Sequence, residues 1–137
     1  MPRRNSLQAK IEERIAERSD DVFLTREFAD LGGERQVLRA LRKEVEAGKL
    51  IRLGYGVYGR ATRSRLSGQP MLAAAGGFNG AARTALTKLG VAWTPTEWET
   101  AYNEGRSTQI PMNPTVRVKG RFSRQLSYGG KPLIVER

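Results

Sequence analysis

The side chains best placed to do chemistry in this chain are arginines. Residues 34–47 read ERQVLRALRKEVEA. At about 100° per residue, Val37, Leu38, Leu41 and Val45 fall within one arc of about 100°. Arg35, Gln36, Arg39, Arg42 and Lys43 crowd the opposite arc, with Glu46 the only acid among them. A helix of this pattern packs one face and turns the other outward. Arginine forks match guanine edges and phosphates, and glutamine matches adenine, so the chemistry on offer is recognition of a nucleic acid. The alternative is the solvated face of an ordinary surface helix; the flanking elements favour recognition.

Catalysis is poorly supplied. The 137 residues contain no histidine and no cysteine, and the only aspartates are Asp20, Asp21 and Asp30. Glu97 and Glu99 are two apart on an expected helix and face different ways. With no evident base, nucleophile or metal cage, the chain is read as a non-enzyme without a cofactor. Gly76-Gly77-Phe78-Asn79-Gly80 lacks the Gly-Lys-Ser/Thr ending of a phosphate loop and the spacing of a dinucleotide fingerprint.

Charge points the same way as the arginine helix. Twenty-four basic residues stand against 14 acids, a net +10, and the sequence pI is near 10.7. Such a charge favours DNA, RNA or an anionic membrane as partner. Residues 33–65 hold nine basic residues and three acids, so six of the ten net charges sit there. Without histidine, the amino terminus is the one group with an unperturbed pKa between about 5 and 8, and the positive field is expected to be nearly constant across that range. No apolar run is long enough to span a membrane, and MPRRNSLQAK lacks the apolar segment of a signal peptide, so a cytoplasmic protein is expected.

The elements that must position these arginines can be taken in order. Arg3 and Arg4 lie on a short tail, either a disordered terminus or an arm for a minor groove. A scaffold helix is expected from Asn5 or Ser6 to about Arg18, with Leu7, Ile11 and Ile15 facing the core. Val22-Phe23-Leu24 suits a small strand. Thr25 is expected to cap a short helix containing Phe28 and Leu31, with Gly32 stopping it and Gly33 giving the turn the freedom that positive φ requires. Thr25 and Arg26, at that helix's start, are candidate phosphate contacts. After the basic helix, Gly48 is placed to end it. Residues 49–53 then form one strand, Gly54-Tyr55-Gly56 a turn, and Val57-Tyr58 the return strand. Helix, turn, basic helix and ribbon are the order of a winged helix-turn-helix, here residues 1–62. Tyr55 at the ribbon tip either points outward or folds back as a lid. Arg52, Arg60 and Arg63 complete the candidate backbone contacts.

Residues 60–70, RATRSRLSGQP, read as a linker to a small α+β domain over residues 71–137. There, Asn79 is expected to cap a helix packing through Ala82, Ala85, Leu86 and Leu89, and Thr96 a second one. Strands are expected at residues 107–111, 115–119, 123–128 and 131–136, forming an antiparallel sheet with a turn at Gly129-Gly130. Arg117, Lys119, Arg121, Arg124 and Lys131 either line one face as a binding surface or keep an edge soluble.

The run VFLTREFADLGGERQVLRALRKEVEAGKLIRLGYGVYGR resembles the N-terminal winged helix of the AbiE-type abortive-infection antitoxins and related bacterial regulators. The matching positions are Thr25, Phe28, Leu31 and Gly32, then Lys49, Leu50, Arg52, Leu53, Gly56, Val57 and Tyr58. Ser107-Thr108-Gln109-Ile110-Pro111, Phe122-Ser123-Arg124 and the final hairpin extend the resemblance over most of residues 5–136. It implies an autoregulatory DNA-binding repressor or antitoxin, often paired with a nucleotidyltransferase-like toxin. The chain is shorter than the larger antitoxins of that group, which leaves a stand-alone regulator of a mobile element as the alternative.

The combined expectation is an α+β, sequence-preferring double-stranded DNA binder acting on an operator. Arg35, Gln36 and Arg39 are the candidate base contacts, and Thr25, Arg26, Arg42, Lys43, Arg52, Tyr55, Arg60 and Arg63 the candidate backbone or wing contacts. With about six phosphates engaged, log K would fall against log salt with a slope near −5. The rivals are an antitoxin module that binds a toxin protein through residues 71–137, and a basic RNA binder. Few aromatics alternate with the second half's basic residues, which counts against RNA stacking.

Overall fold

The structure is a computed structural model, and it describes residues 6–74, 76–105, 115–120, 122 and 125–136. The expected strand at 107–111 and Arg3, Arg4, Arg121 and Arg124 lie outside them. The chain is a mixed α+β fold with four α-helices among the described residues.

Helix α1 (Leu7–Glu17) begins where expected: the Ser6 hydroxyl accepts from Ala9 N at 3.1 Å. It buries Ile11 and Ile15. Strand β1 (Val22–Leu24) follows, then a single 3-10 turn (Thr25–Phe28) in place of a capped α-helix. Thr25 does not cap it. The Glu27 carboxylate folds back and accepts from Leu24 N at 2.7 Å, while Thr25 Oγ1 is buried with no hydrogen-bond partner. Nor does Gly33 adopt positive φ; it sits extended at φ −64° and ψ 152° before helix α2 (Glu34–Glu46). Gly48 does have positive φ, 78°, and its N–H donates to Val45 O while Lys49 N donates to Glu44 O, each at 3.0 Å. That double closure lets the chain leave α2 directly into the ribbon.

Strands β2 (Leu50–Gly54) and β3 (Val57–Arg63) form the expected ribbon, and β1 pairs antiparallel with β3 through Phe23↔Tyr58. The expected linker is structured differently. β3 runs on to Arg63 and pairs with β4 (Pro70–Leu72), so residues 60–70 are a second hairpin. Arg60 is the handover, donating its N–H to Asp21 O at 2.8 Å and accepting from Ala73 N at 2.7 Å.

Helix α3 (Gly77–Lys88) starts two residues before Asn79, with Gly76 as its cap at φ 76°. It is followed by β5 (Trp93–Thr94), α4 (Glu97–Asn103), β6 (Thr115–Val118), the hairpin β7 (Ser127–Tyr128) and β8 (Lys131–Pro132), and β9 (Ile134–Glu136). Gly129 and Gly130 turn that hairpin at φ 61° and 79°, as a two-residue turn requires. The sheet is not purely antiparallel. β6 pairs antiparallel with β5 but parallel with β9, because the β7–β8 hairpin reverses the chain before β9 reaches the sheet.

The four-stranded sheet has cores on both faces. Phe23, Leu50 and Tyr58 join Ile11, Phe28, Val37 and Leu41 under α1 and α2. Val22, Leu24, Leu53, Val57 and Leu72 point the other way, into a core with Ala81, Ala82, Ala85 and Leu86 of α3, Val116, Val118, Leu126 and Leu133. The two halves of the chain therefore share one core, and Val22-Phe23-Leu24 is apolar at every position because both faces are covered. The halves approach closely at Gly54, where an added Cβ would stand 2.6 Å from the Gln125 carbonyl oxygen.

Candidate nucleic-acid interface

Helix α2 presents what its sequence promises, with one exception. Val37, Ala40 and Leu41 are buried, Leu38 and Val45 are half-buried at the margin, and Arg35, Gln36, Arg39, Arg42, Lys43 and Glu46 are exposed. The exception is Glu44, a position three residues after Leu41 and seven after Val37 on the buried stripe; it is only 2% exposed. Its periodicity was the signal that could have found it.

Glu44 meets α1. Gln8 Nε2 donates to its Oε1, and its buried Oε2 has no hydrogen-bond partner among the described residues. Glu12 faces it, itself paired with Lys49 at 3.0 Å. Burial first, and the neighbouring Glu12 carboxylate second, push the Glu44 carboxyl up to about 7. Glu12 moves the opposite way, lowered by its hydrogen bonds to Glu44 and Lys49. The expected constancy of the positive field between about pH 5 and 8 therefore fails at Glu44: desolvation gives this acid the range histidine usually occupies.

The outward cations have no such company. Among the described residues, the side chains of Arg35, Arg39, Arg42, Lys43 and Arg52 have no carboxylate or carbonyl partner. Arg52, opposite Tyr58 in register, lies on the face of the ribbon that packs under α2. It lines a groove of about 240 Å³ with Arg42, Leu38, Val45, Tyr55 and Tyr58. Tyr55 is 68% exposed at the β2–β3 turn, so it points outward rather than closing as a lid. On its other side a groove of about 380 Å³ runs between the 3-10 turn, the first turns of α2 and Leu89, with Thr25, Arg26 and Glu34 on its walls. The fold thus gathers Arg42, Arg52 and Tyr55 at one cleft, with Arg35, Gln36, Arg39 and Lys43 along the adjoining helix and Arg26 beyond.

Two of the expected contacts are not part of this surface. Arg60 turns inward: Nε donates to Asp20 O at 3.1 Å and Nη2 to Ile15 O at 2.9 Å and Arg18 O at 2.7 Å, with the guanidinium 5.2 Å from the Phe23 ring centre. It closes the carbonyl end of α1, as cations at helix C-termini do, and is withdrawn as a phosphate contact. Arg63 is exposed on the β3–β4 hairpin, where Nη1 donates to Gly68 O at 3.0 Å.

Other cations are consumed in holding elements together. Lys88 of α3 reaches Asp20 at 2.6 Å, Val22 O at 2.7 Å and Glu27 at 2.8 Å, above the Phe23 ring. Arg14 grips Asp30 with two nitrogens at 2.5 and 2.8 Å and holds that carboxyl down at about 2. Asp20 is likewise lowered, chiefly by its hydrogen bond from Lys88. Arg83 pairs with Glu99 beneath the Trp93 ring. Arg26 Nη2 donates to Lys88 O, but the residue remains exposed on the wall of the wider groove.

Compared with protein-family models, curated proteins and solved structures, the chain has no match. Among the described residues no helix is long and apolar enough to cross a membrane, and no cluster of three acidic, histidine or cysteine side chains is placed to hold a metal.

Proposed function

We propose that the chain is a sequence-preferring double-stranded DNA-binding protein, a transcriptional repressor of the winged helix-turn-helix kind. In this reading α2 lies in the major groove, with Arg35, Gln36 and Arg39 at base edges. Arg42, Lys43, Arg52 and Arg26 meet phosphates, and Tyr55 stands at the wing tip. The observation that carries the proposal is that, among the described residues, Arg35, Arg39, Arg42, Lys43 and Arg52 have no carboxylate or carbonyl partner along α2 and the adjoining cleft, while most other described cations are engaged internally. Concentrated like charge with no internal partner costs folding energy by self-repulsion, and a polyanion relieves it.

The test is binding to the DNA upstream of the chain's own coding sequence beside a scrambled duplex of equal length, at about 150 mM salt. A preference of roughly 10³ supports a specific regulator; a ratio near one removes the proposal. With Arg60 and Arg63 off this surface, about four phosphates remain, and the expected slope of log K on log salt is about −3.6. The resemblance to AbiE-type antitoxins extends the proposal to autoregulation and to neutralising a toxin protein. Because the halves share a core, that extension is tested with full-length Arg35→Glu/Arg39→Glu, which removes DNA binding without removing residues 71–137 or the core they need.

A further inference from the structure

From residue 47 to residue 96 the chain holds no acid at all, while carrying Lys49, Arg52, Arg60, Arg63, Arg65, Arg83 and Lys88. The two most exposed large apolar side chains among the described residues are both in this stretch and both at hairpin tips: Tyr55 at 68% and Leu66 at 100%. The second tip is ordered by its own turn. Ser64 N donates to Gln69 O and Gly68 N to Ser64 O, each at 2.9 Å, and the Ser64 hydroxyl accepts from Leu66 N at 3.2 Å and Ser67 N at 3.3 Å. Arg63 ties across to Gly68 O, and Gly68 takes φ 71°. A leucine held fully in solvent on a pre-formed turn, just after Arg63 and Arg65, has its ordering cost already met.

The position of that tip is set by the strands. Val57 and Arg63 are the two ends of β3, so the two hairpin tips stand at opposite ends of a strand roughly 20 Å long. Helix α2 spans the same interval. Its first turn shares a groove with Tyr55, and Gly48 at its far end abuts Pro70 of β4. Half a turn of B-DNA is about 17 Å, so a hairpin projecting past the end of a major-groove helix is within reach of the neighbouring minor groove.

We propose that the β3–β4 hairpin is a second DNA contact, with Leu66 wedging into the minor groove beside the major groove that α2 occupies and Arg63 and Arg65 on the flanking phosphates. This rests on the DNA-binding reading above. Apolar wedges flanked by cations unstack a base step and bend the duplex, which a basic tip alone does not do. One leucine buries too little apolar area to hold a membrane surface by itself.

The experiment compares the full-length chain with Leu66→Ser and with Arg63→Gln/Arg65→Gln on its own upstream duplex. End-to-end energy transfer reports bending, and 2-aminopurine at successive A·T positions reports unstacking. The Leu66 side chain is fully exposed, so Leu66→Ser is expected to melt like the parent. It should lose the bend and the 2-aminopurine signal and weaken binding about tenfold, at an unchanged salt slope. The arginine pair should instead reduce the slope by about 2. Leu66→Ser binding and bending like the parent, while Arg39→Ala loses selectivity, overturns this proposal and leaves the DNA-binding reading standing. A parent chain that binds no duplex overturns both. Leu66-dependent capture by phosphatidylserine vesicles with no DNA bending overturns it in favour of a membrane surface.

Discussion

Two basic regions of this molecule use the same side chains to opposite ends. Along the seam between α1, β1 and α3, the cations Arg14, Arg18, Arg60 and Lys88 are paired with Asp20, Asp30, Glu27 and the carbonyls that end α1. On the outer face of α2 and β2, Arg35, Arg39, Arg42, Lys43 and Arg52 have no carboxylate or carbonyl partner among the described residues. The seam holds the halves together. The outer face contributes nothing to holding the fold and is available to a ligand. Net charge alone does not distinguish them.

Mutations should separate the two regions. The largest effect is expected from Lys88→Ala, which leaves Asp20 and Glu27 with the more exposed Arg18 as their remaining cation in a half-buried setting. Urea unfolding should show a loss of about 2–4 kcal/mol. A loss under about 0.5 kcal/mol would mean the seam is ornamental, and the comparison would fail on that side.

Gly54→Ala should cost about 1–3 kcal/mol of stability, since the new methyl meets the Gln125 backbone, which cannot rotate away. Its thermal melt would show whether the shared core is as close as it looks. On the outer face, Arg39→Ala should leave stability within about 0.5 kcal/mol. It should cost about 1–3 kcal/mol of operator binding, with a smaller loss on random DNA. Equal losses on both duplexes would demote Arg39 to a phosphate contact.

A further effect is one of pH. The Glu44 carboxyl titrates at about 7 in the folded chain against an ordinary value of 4.5. A raised acid binds its proton more tightly when folded, so its contribution is complete below about 4.5 and is lost as pH rises through 7. Asp30, held at about 2, acts in the reverse sense and matters only as pH falls below its ordinary 3.8. Stability should therefore decline from pH 5 to pH 8, and Glu44→Gln should flatten that decline. An unchanged slope in Glu44→Gln would place the titrating group elsewhere.

Much of α1, α2 and the β2–β3 ribbon was legible because its signals are local. Ser6 caps within three residues, the apolar stripe of α2 repeats within a turn, and Gly48 and Gly56 adopt the positive φ that only a glycine takes easily. The exposed positions of Arg35, Gln36, Arg39, Arg42 and Lys43 follow from the same periodicity. The β3–β4 hairpin was not legible, since RATRSRLSGQP is as polar as a linker and its pairing depends on β3 continuing past the ribbon. Leu66 hid in that stretch.

What the sequence determined by itself is the inventory: a strongly basic chain without thiols or imidazoles, one amphipathic arginine helix, and a glycine-turned ribbon beside it. Tertiary structure alone decided how each charge is used. Arg52 and Arg60 sit eight residues apart with similar neighbours, yet Arg60 meets carbonyls 40 to 45 positions away and Arg52 meets none. Glu44 became an acid titrating at about 7 because α1 covers it. A charged side chain's fate depends on which dipoles and carboxylates the fold brings within about 4 Å, and those come from remote parts of the chain.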